Sequence, residues 1–210
     1  MFDSDAPPPS TWETAASGTK HEILVAASQL FWKQGYKGTS TREIATQVGI
    51  QQPSLFHFFP NKAAILQALL AISLNDTLVA SDRAVAGTGS PAARLHAYLV
   101  WDLTELHRMP YVLAGIHSVD ILTTPGFEVW ADKSRKLYAN LRTLIAQGIE
   151  AGEFHEQNLR LAQEQVAWQV LAHISFHAEG LSTDPIAEAR EGADFIIRGL
   201  GGLMSEFHAL

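Results

Sequence analysis

Residues 40–62 read STREIATQVGIQQPSLFHFFPNK. Gly49, Pro53 and Pro60 break this short stretch three times, and its end crowds three phenylalanines around one histidine (Phe56, His57, Phe58, Phe59). Ser40 with Glu43 three residues on has the form of a capping box, so a helix starts there. Ile44 and Val48 supply its apolar edge, and Gly49 lets the backbone turn where a side chain would clash. A second helix starts near Gln52. Pro53 lies in its first turn, where the missing N–H costs nothing. Pro60 disfavours helix in the residue before it, so this helix ends at about Phe59. Two short helices joined by VGIQ read as a helix-turn-helix. Helices this short do not stand alone, so Leu55, Phe58 and Phe59 are expected to anchor the second against its neighbours, with Ala45 allowing a close crossing.

Working outward, helical spacing continues everywhere. Ile23, Leu24, Ala27, Leu30 and Phe31 share one face of a helix that Gly35 stops. Asn61 caps a fourth helix. Ser90 and Pro91 open a fifth that runs to about Arg108, and Pro110 opens a short sixth ended by TTPG at 123–126. A seventh spans about 126–151, an eighth about 159–179, and a ninth runs from the STDP cap at 182–185 to about 206. Period-2 alternation and Asn-Gly or Asp-Gly turns are absent. The expected fold is all-α, with about nine helices. Residues 1–18, acidic and proline-rich, read as a disordered arm without the basic start of a secretory signal. Residues 19–66 form a helix-turn-helix domain and 67–210 a larger helical ligand-binding and dimerisation domain. The boundary falls in the fourth helix, a continuous rod.

Charge follows the same division. The chain carries −7 overall, yet residues 19–64 hold Lys20, Lys33, Lys37, Arg42 and Lys62 against Glu22 and Glu43, 5 − 2 = +3, which leaves −10 elsewhere. A small basic end attached to an acidic body suits a protein that approaches a polyanion from one side. With no cysteine, thiol catalysis, disulfides and zinc–thiolate sites are excluded. No apolar run is read as long enough to span a bilayer, so no membrane partner is expected and the cytoplasm is the expected location.

Residues 20–66 resemble the DNA-binding domain of the TetR family of transcriptional regulators. Phe31, Gly35 and Tyr36, then TSTREIA, then VGIQQPSLFHFFPNKAAIL carry the resemblance. It implies a regulator, in the first instance a repressor, binding a palindromic operator as a homodimer and released by a small, mostly apolar molecule. It further implies a four-helix interface from two copies of the helices near 159–179 and 185–206. Where the family pattern has tyrosine and histidine, this chain has Phe56 and Phe58, so a phosphate contact commonly made by the tyrosine hydroxyl is missing.

The residue chemistry reaches the same place separately. The second helix of such a motif lies in the major groove with its N-terminal residues at base edges. Gln52 suits adenine, Ser54 suits several bases, and Pro53 offers apolar contact to a thymine methyl. Arg42 reaches guanine or phosphate; Thr41, Lys62 and His57 are phosphate candidates. Alternatives stand beside these: solvated surface positions for Arg42 and Lys62, helix capping for Gln52 and Ser54, a partly buried ring for His57.

In the body, Trp101, His107, Tyr111, His117, Trp130 and Trp168 are candidate effector contacts, although aromatics at helical spacing usually make core. Glycines inside the ninth helix (Gly192, Gly199, Gly202) suggest close approach of another helix, of this chain or of a partner. His173 and His177 have the i, i+4 spacing of a two-histidine metal site, but no third ligand stands out, so neither metal nor cofactor is expected. HEILV (21–25) and HEQNL (155–159) lack the second histidine of a zinc protease, and no nucleophile elbow, P-loop or dinucleotide fingerprint occurs. No enzymatic activity is expected. The competing reading is an all-α enzyme or small-molecule binding protein whose helix-turn-helix is incidental.

Overall fold

A computed structural model of the chain describes residues 12, 13, 17–116 and 119–202. Its helices are α1 (Gly18–Gly38), α2 (Thr41–Val48), α3 (Gln52–Phe58), α4 (Lys62–Ala86), α5 (Pro91–Arg108), α6 (Val119–Leu122), α7 (Glu128–Glu150), α8 (Leu159–Ala178) and α9 (Pro185–Gly199). No strand occurs among the described residues.

Local chemistry accounts for most boundaries. At Gly35 the backbone leaves the helix (φ 75°, ψ 161°), and α1 resumes for a last turn to Gly38. Both halves of the capping box form: Ser40 Oγ accepts from Glu43 N, and Ser40 N donates to a Glu43 carboxylate oxygen. Gly49 adopts φ 78°, a left-handed conformation that costs any other L-residue about 1–2 kcal/mol. Asn61, Ser90, Asn158 and Asp184 side chains accept from first-turn N–H groups of α4, α5, α8 and α9.

Pro110 opens no helix. Residues 110–116 are irregular, and α6 is confined to Val119–Leu122. The last turns expected of α9 are absent through Gly202, because the chain breaks at Gly201 with φ 93°; residues 203–206 of that expectation lie outside the described residues. So does most of the arm at 1–18, but Trp12 within it is buried.

Two compact units result. One holds residues up to Asp76 plus Met109–Ile121; the other holds Thr77–Arg108 and the chain from Leu122. A boundary between these units falls inside α4, at Asp76–Thr77. By length and composition α4 could cross a bilayer, with mean hydropathy 1.6 in its most apolar window, contrary to the sequence reading. Its Ile65, Leu66, Leu69 and Leu70 are buried in protein instead.

In the first unit Ile23, Leu24, Phe31, Ile44 and Leu55 form the centre. The segment after α5 belongs here: Val112 N donates to Ser28 Oγ (3.0 Å) and Tyr111 Oη meets His21 Nδ1 (2.9 Å). In the second unit α5 packs against α7, α8 and α9, burying Leu95, Leu99, Leu144, Ile145 and Ile197. His96 Nε2 lies 2.7 Å from Asp194 Oδ1 and ties α5 to α9.

Candidate nucleic-acid interface

The face that α3 presents follows from what it buries. Leu55 and Phe59 are inside. At 3.6 residues per turn, Pro53 and His57 then point directly away, and both are exposed. Ser54 and Phe58 form one flank of this outward face; Gln52 and Phe56 form the other. Phe58 was expected to anchor the helix but is 43% exposed, as is Phe56. Leu55 and Phe59 take the inward side, and Phe58 is turned to the flank away from them.

Gln52 is half-buried, and its Nε2 donates to Thr41 Oγ1 at 2.9 Å, tying the start of α3 to the start of α2. An amide nitrogen carries two protons, so one proton and Oε1 remain, the pair needed for bidentate contact with adenine. Thr41 keeps its own hydroxyl proton. Arg42 is exposed on the first turn of α2, and its guanidinium makes no hydrogen bond among the described residues. Hydrogen bonds from Ser40 depress the Glu43 carboxyl below the usual carboxylate range, keeping it charged beside that turn.

Lys62 departs from its sequence reading as an outward phosphate ligand. Its Nζ donates to Tyr36 O and Thr39 O, both at 2.6 Å, and lies 4.4 Å from the Tyr36 ring centroid. These carbonyls lie past the Gly35 kink, and Tyr36 O also accepts from Thr39 N at 3.3 Å. Burial lowers the Lys62 pKa, and Glu43 opposes that shift. The lysine is a clasp that fixes the approach to α2. Nothing in its spacing reveals this, because the carbonyls turn towards it only through the conformation at Gly35.

Residues 23–69 match the family described as "Bacterial regulatory proteins, tetR family". The fold is similar to crystalline AmtR of Mycobacterium smegmatis, 29% identical, with 90% of each chain covered and a TM-score of 0.78. The family match places a TetR-type DNA-binding domain at the start of the chain. Among curated relatives it is 23% identical over 188 residues to the transcriptional repressor KstR2 of Mycobacterium tuberculosis, covering 88% of this chain and 92% of that one. A structure of AibR in complex with isovaleryl coenzyme A and operator DNA shares the fold at 20% identity, with 86% of this chain and 97% of that one covered and a TM-score of 0.66. TetR regulators are non-enzymatic DNA-binding proteins, so the competing enzyme reading falls away.

Five of the six candidate effector contacts are among the described residues. Tyr111 belongs to the first unit, where its hydroxyl is taken by His21. Trp168 is 68% exposed, because α8 turns Ala162, Val166 and Ala167 inward and leaves position 168 on the opposite side. Trp130 is half-buried, with Lys133 Nζ 4.6 Å from its ring centroid, and Trp101 is half-buried on α5. His117 lies outside the described residues. His107 alone is buried inside the second unit, and it brings with it the pair read from spacing: the rings of His173 and His177 lie 5.9 and 5.2 Å from its centroid. Gly192, read as a helix-crossing position, serves this chain's own contact. A Cβ there would fall 2.2 Å from His173 Nε2.

Proposed function

We propose that this chain is a TetR-type ligand-responsive repressor that binds a palindromic operator as a homodimer and is released by a small, mostly apolar molecule. The outward face of α3 carries the reading: Pro53, Ser54 and His57 turn away from a helix whose Leu55 and Phe59 are locked inside. Residues 19–66 make the operator contacts, in the cytoplasm. Gln52, steadied by Thr41, takes adenine; Ser54 and Pro53 meet neighbouring base edges. Arg42 takes guanine or phosphate, and Thr41 and His57 take phosphate. Lys62 acts indirectly, by holding the chain before α2.

Residues 67–210 take the effector and the partner copy. On α8, Leu161, Trp168 and Phe176 form an exposed stripe, and Phe195 is exposed on α9. A monomer seldom leaves so many large apolar groups in water, and a two-fold dimer burying them reads both halves of a palindrome. The effector favours a conformer whose recognition helices no longer sit about 34–36 Å apart, one turn of B-DNA, and acts only through its different affinities for the two conformers. Two stretches carry the change: α4, which has residues in both units, and 109–116, which continue from α5 to hold α1. AibR, named with both an acyl-coenzyme A and operator DNA, supports coupling of the two ligands in one chain.

Selection of random DNA with purified protein tests the reading. A two-fold symmetric site is expected, with affinity falling steeply in log–log slope against salt. Arg42→Ala is expected to lose sequence preference while keeping dimer and thermal stability. Enrichment of no sequence, or unchanged preference in that variant, refutes the respective assignment.

A further inference from the structure

The second unit contains a polar group that its fold does not use. His107, near the C-terminal end of α5, is 5% exposed, and neither ring nitrogen has a hydrogen-bond partner among the described residues. Buried donors and acceptors are satisfied as a rule, and each exception needs an explanation. Two further imidazoles from α8, His173 and His177, stand edge-on to this ring. A core that needed only apolar volume would have no reason to gather three imidazoles.

We propose that the His107–His173–His177 cluster anchors an anionic oxygen group, a carboxylate carried on an apolar body, and takes up a proton when it binds. The proposal rests on the effector reading above and names the effector's class. Burial lowers the His107 pKa, and His177 and His173 lower it further, while Glu188 on α9 opposes them. Glu188 is already engaged, accepting from the Ser182 hydroxyl and from the N–H groups of Thr183 and Asp184. His107 is therefore neutral near pH 7 and becomes a cation only when a counter-anion arrives. An uncharged apolar ligand would leave both nitrogens unsatisfied. A cationic ligand would find no free carboxylate on these rings.

Isothermal titration of the full-length protein with straight-chain alkanoic acids, their methyl esters and the matching primary alcohols tests this. The acids are expected to bind, with proton uptake seen as a heat that depends on the buffer's ionisation enthalpy. Their affinity should fall as pH rises from 6 to 8, approaching about tenfold per unit, the limit for one linked proton. His107→Leu should weaken acid binding by about tenfold or more, the worth of a charge-assisted hydrogen bond, and leave ester binding unchanged. His177→Gln, farther from the core, should weaken acids in the same direction and guards against misfolding of the first variant. Esters binding as tightly as acids without proton uptake overturns the proposal and leaves the effector reading intact. Micromolar binding of Ni²⁺ or Zn²⁺ with no acid binding also overturns it, as does no binding in any series. Acids that bind with proton uptake but leave the operator complex undisturbed uphold the site and defeat the effector reading.

Discussion

Replacing Lys62 by Met separates two roles that one ammonium could have beside DNA. In the structure Nζ makes two hydrogen bonds of 2.6 Å to Tyr36 O and Thr39 O. A hydrogen bond to a charged group contributes about 1.5–3 kcal/mol, and the half-exposed site puts each at the low end. The Tyr36 ring at 4.4 Å adds about 0.5–1 kcal/mol. Ordering the side chain costs up to about 2 kcal/mol, so the net loss in Lys62→Met is about 2 kcal/mol. At this chain length that lowers Tm by about 4–8 °C, and urea unfolding should show a lower midpoint at unchanged slope. Operator affinity should fall because the turn before α2 loosens, while the log–log salt slope stays as in wild type. A phosphate-gripping lysine behaves oppositely: removing it leaves stability unchanged and reduces the slope by about 0.9. That second pattern would refute the clasp.

Other substitutions probe other links. Burial raises the Asp102 pKa to about 6, opposed by the Thr77 hydrogen bond and assisted by Glu105. An acid whose pKa is raised on folding binds its proton more tightly in the folded state, so it subtracts stability as pH rises from about 4 through 6. Asp102→Asn should therefore stabilise the protein by about 3 kcal/mol, at 1.36 kcal/mol per pKa unit, above pH 7, with the gain vanishing below pH 4; melts across that range check it. Trp168→Glu should yield monomers in sedimentation without loss of helix, because the indole stands 68% exposed. Gly115→Ala would set a Cβ 2.8 Å from Phe31 O and 3.0 Å from Trp32 Cα, and backbone cannot yield cheaply. A loss of about 1–3 kcal/mol, read by urea unfolding, is expected. Phe56→Tyr restores the hydroxyl of the family pattern on an exposed ring and should tighten operator binding several-fold in a direct titration, without altering the salt slope, since phenol is neutral.

Much of the DNA-facing module was legible because its signals are local. A serine and a glutamate three apart cap a helix wherever they stand, Gly49 permits a turn forbidden to other residues, and proline fixes where α3 begins. Apart from the sixth, the helices named above were expected in order for the same reason. The exceptions depend on distant partners. Pro110 is compatible with a helix start, yet the following residues are tied to α1 by bonds to Ser28 and His21. Phe58 looks like its neighbours in sequence, and only the arc fixed by Leu55 and Phe59 turns it outward.

Sequence by itself determined most helices, their caps and turns, and the basic end of the chain, because these depend on backbone conformation and charge within a few residues. Only tertiary structure decided that Lys62 clasps a turn, that Trp168 faces outward, that Tyr111 belongs to the first unit, and that His107 meets His173 and His177. Each of those outcomes is set by how helices rotate and cross to bury their apolar faces, a property of the whole packed unit that no short run of residues encodes.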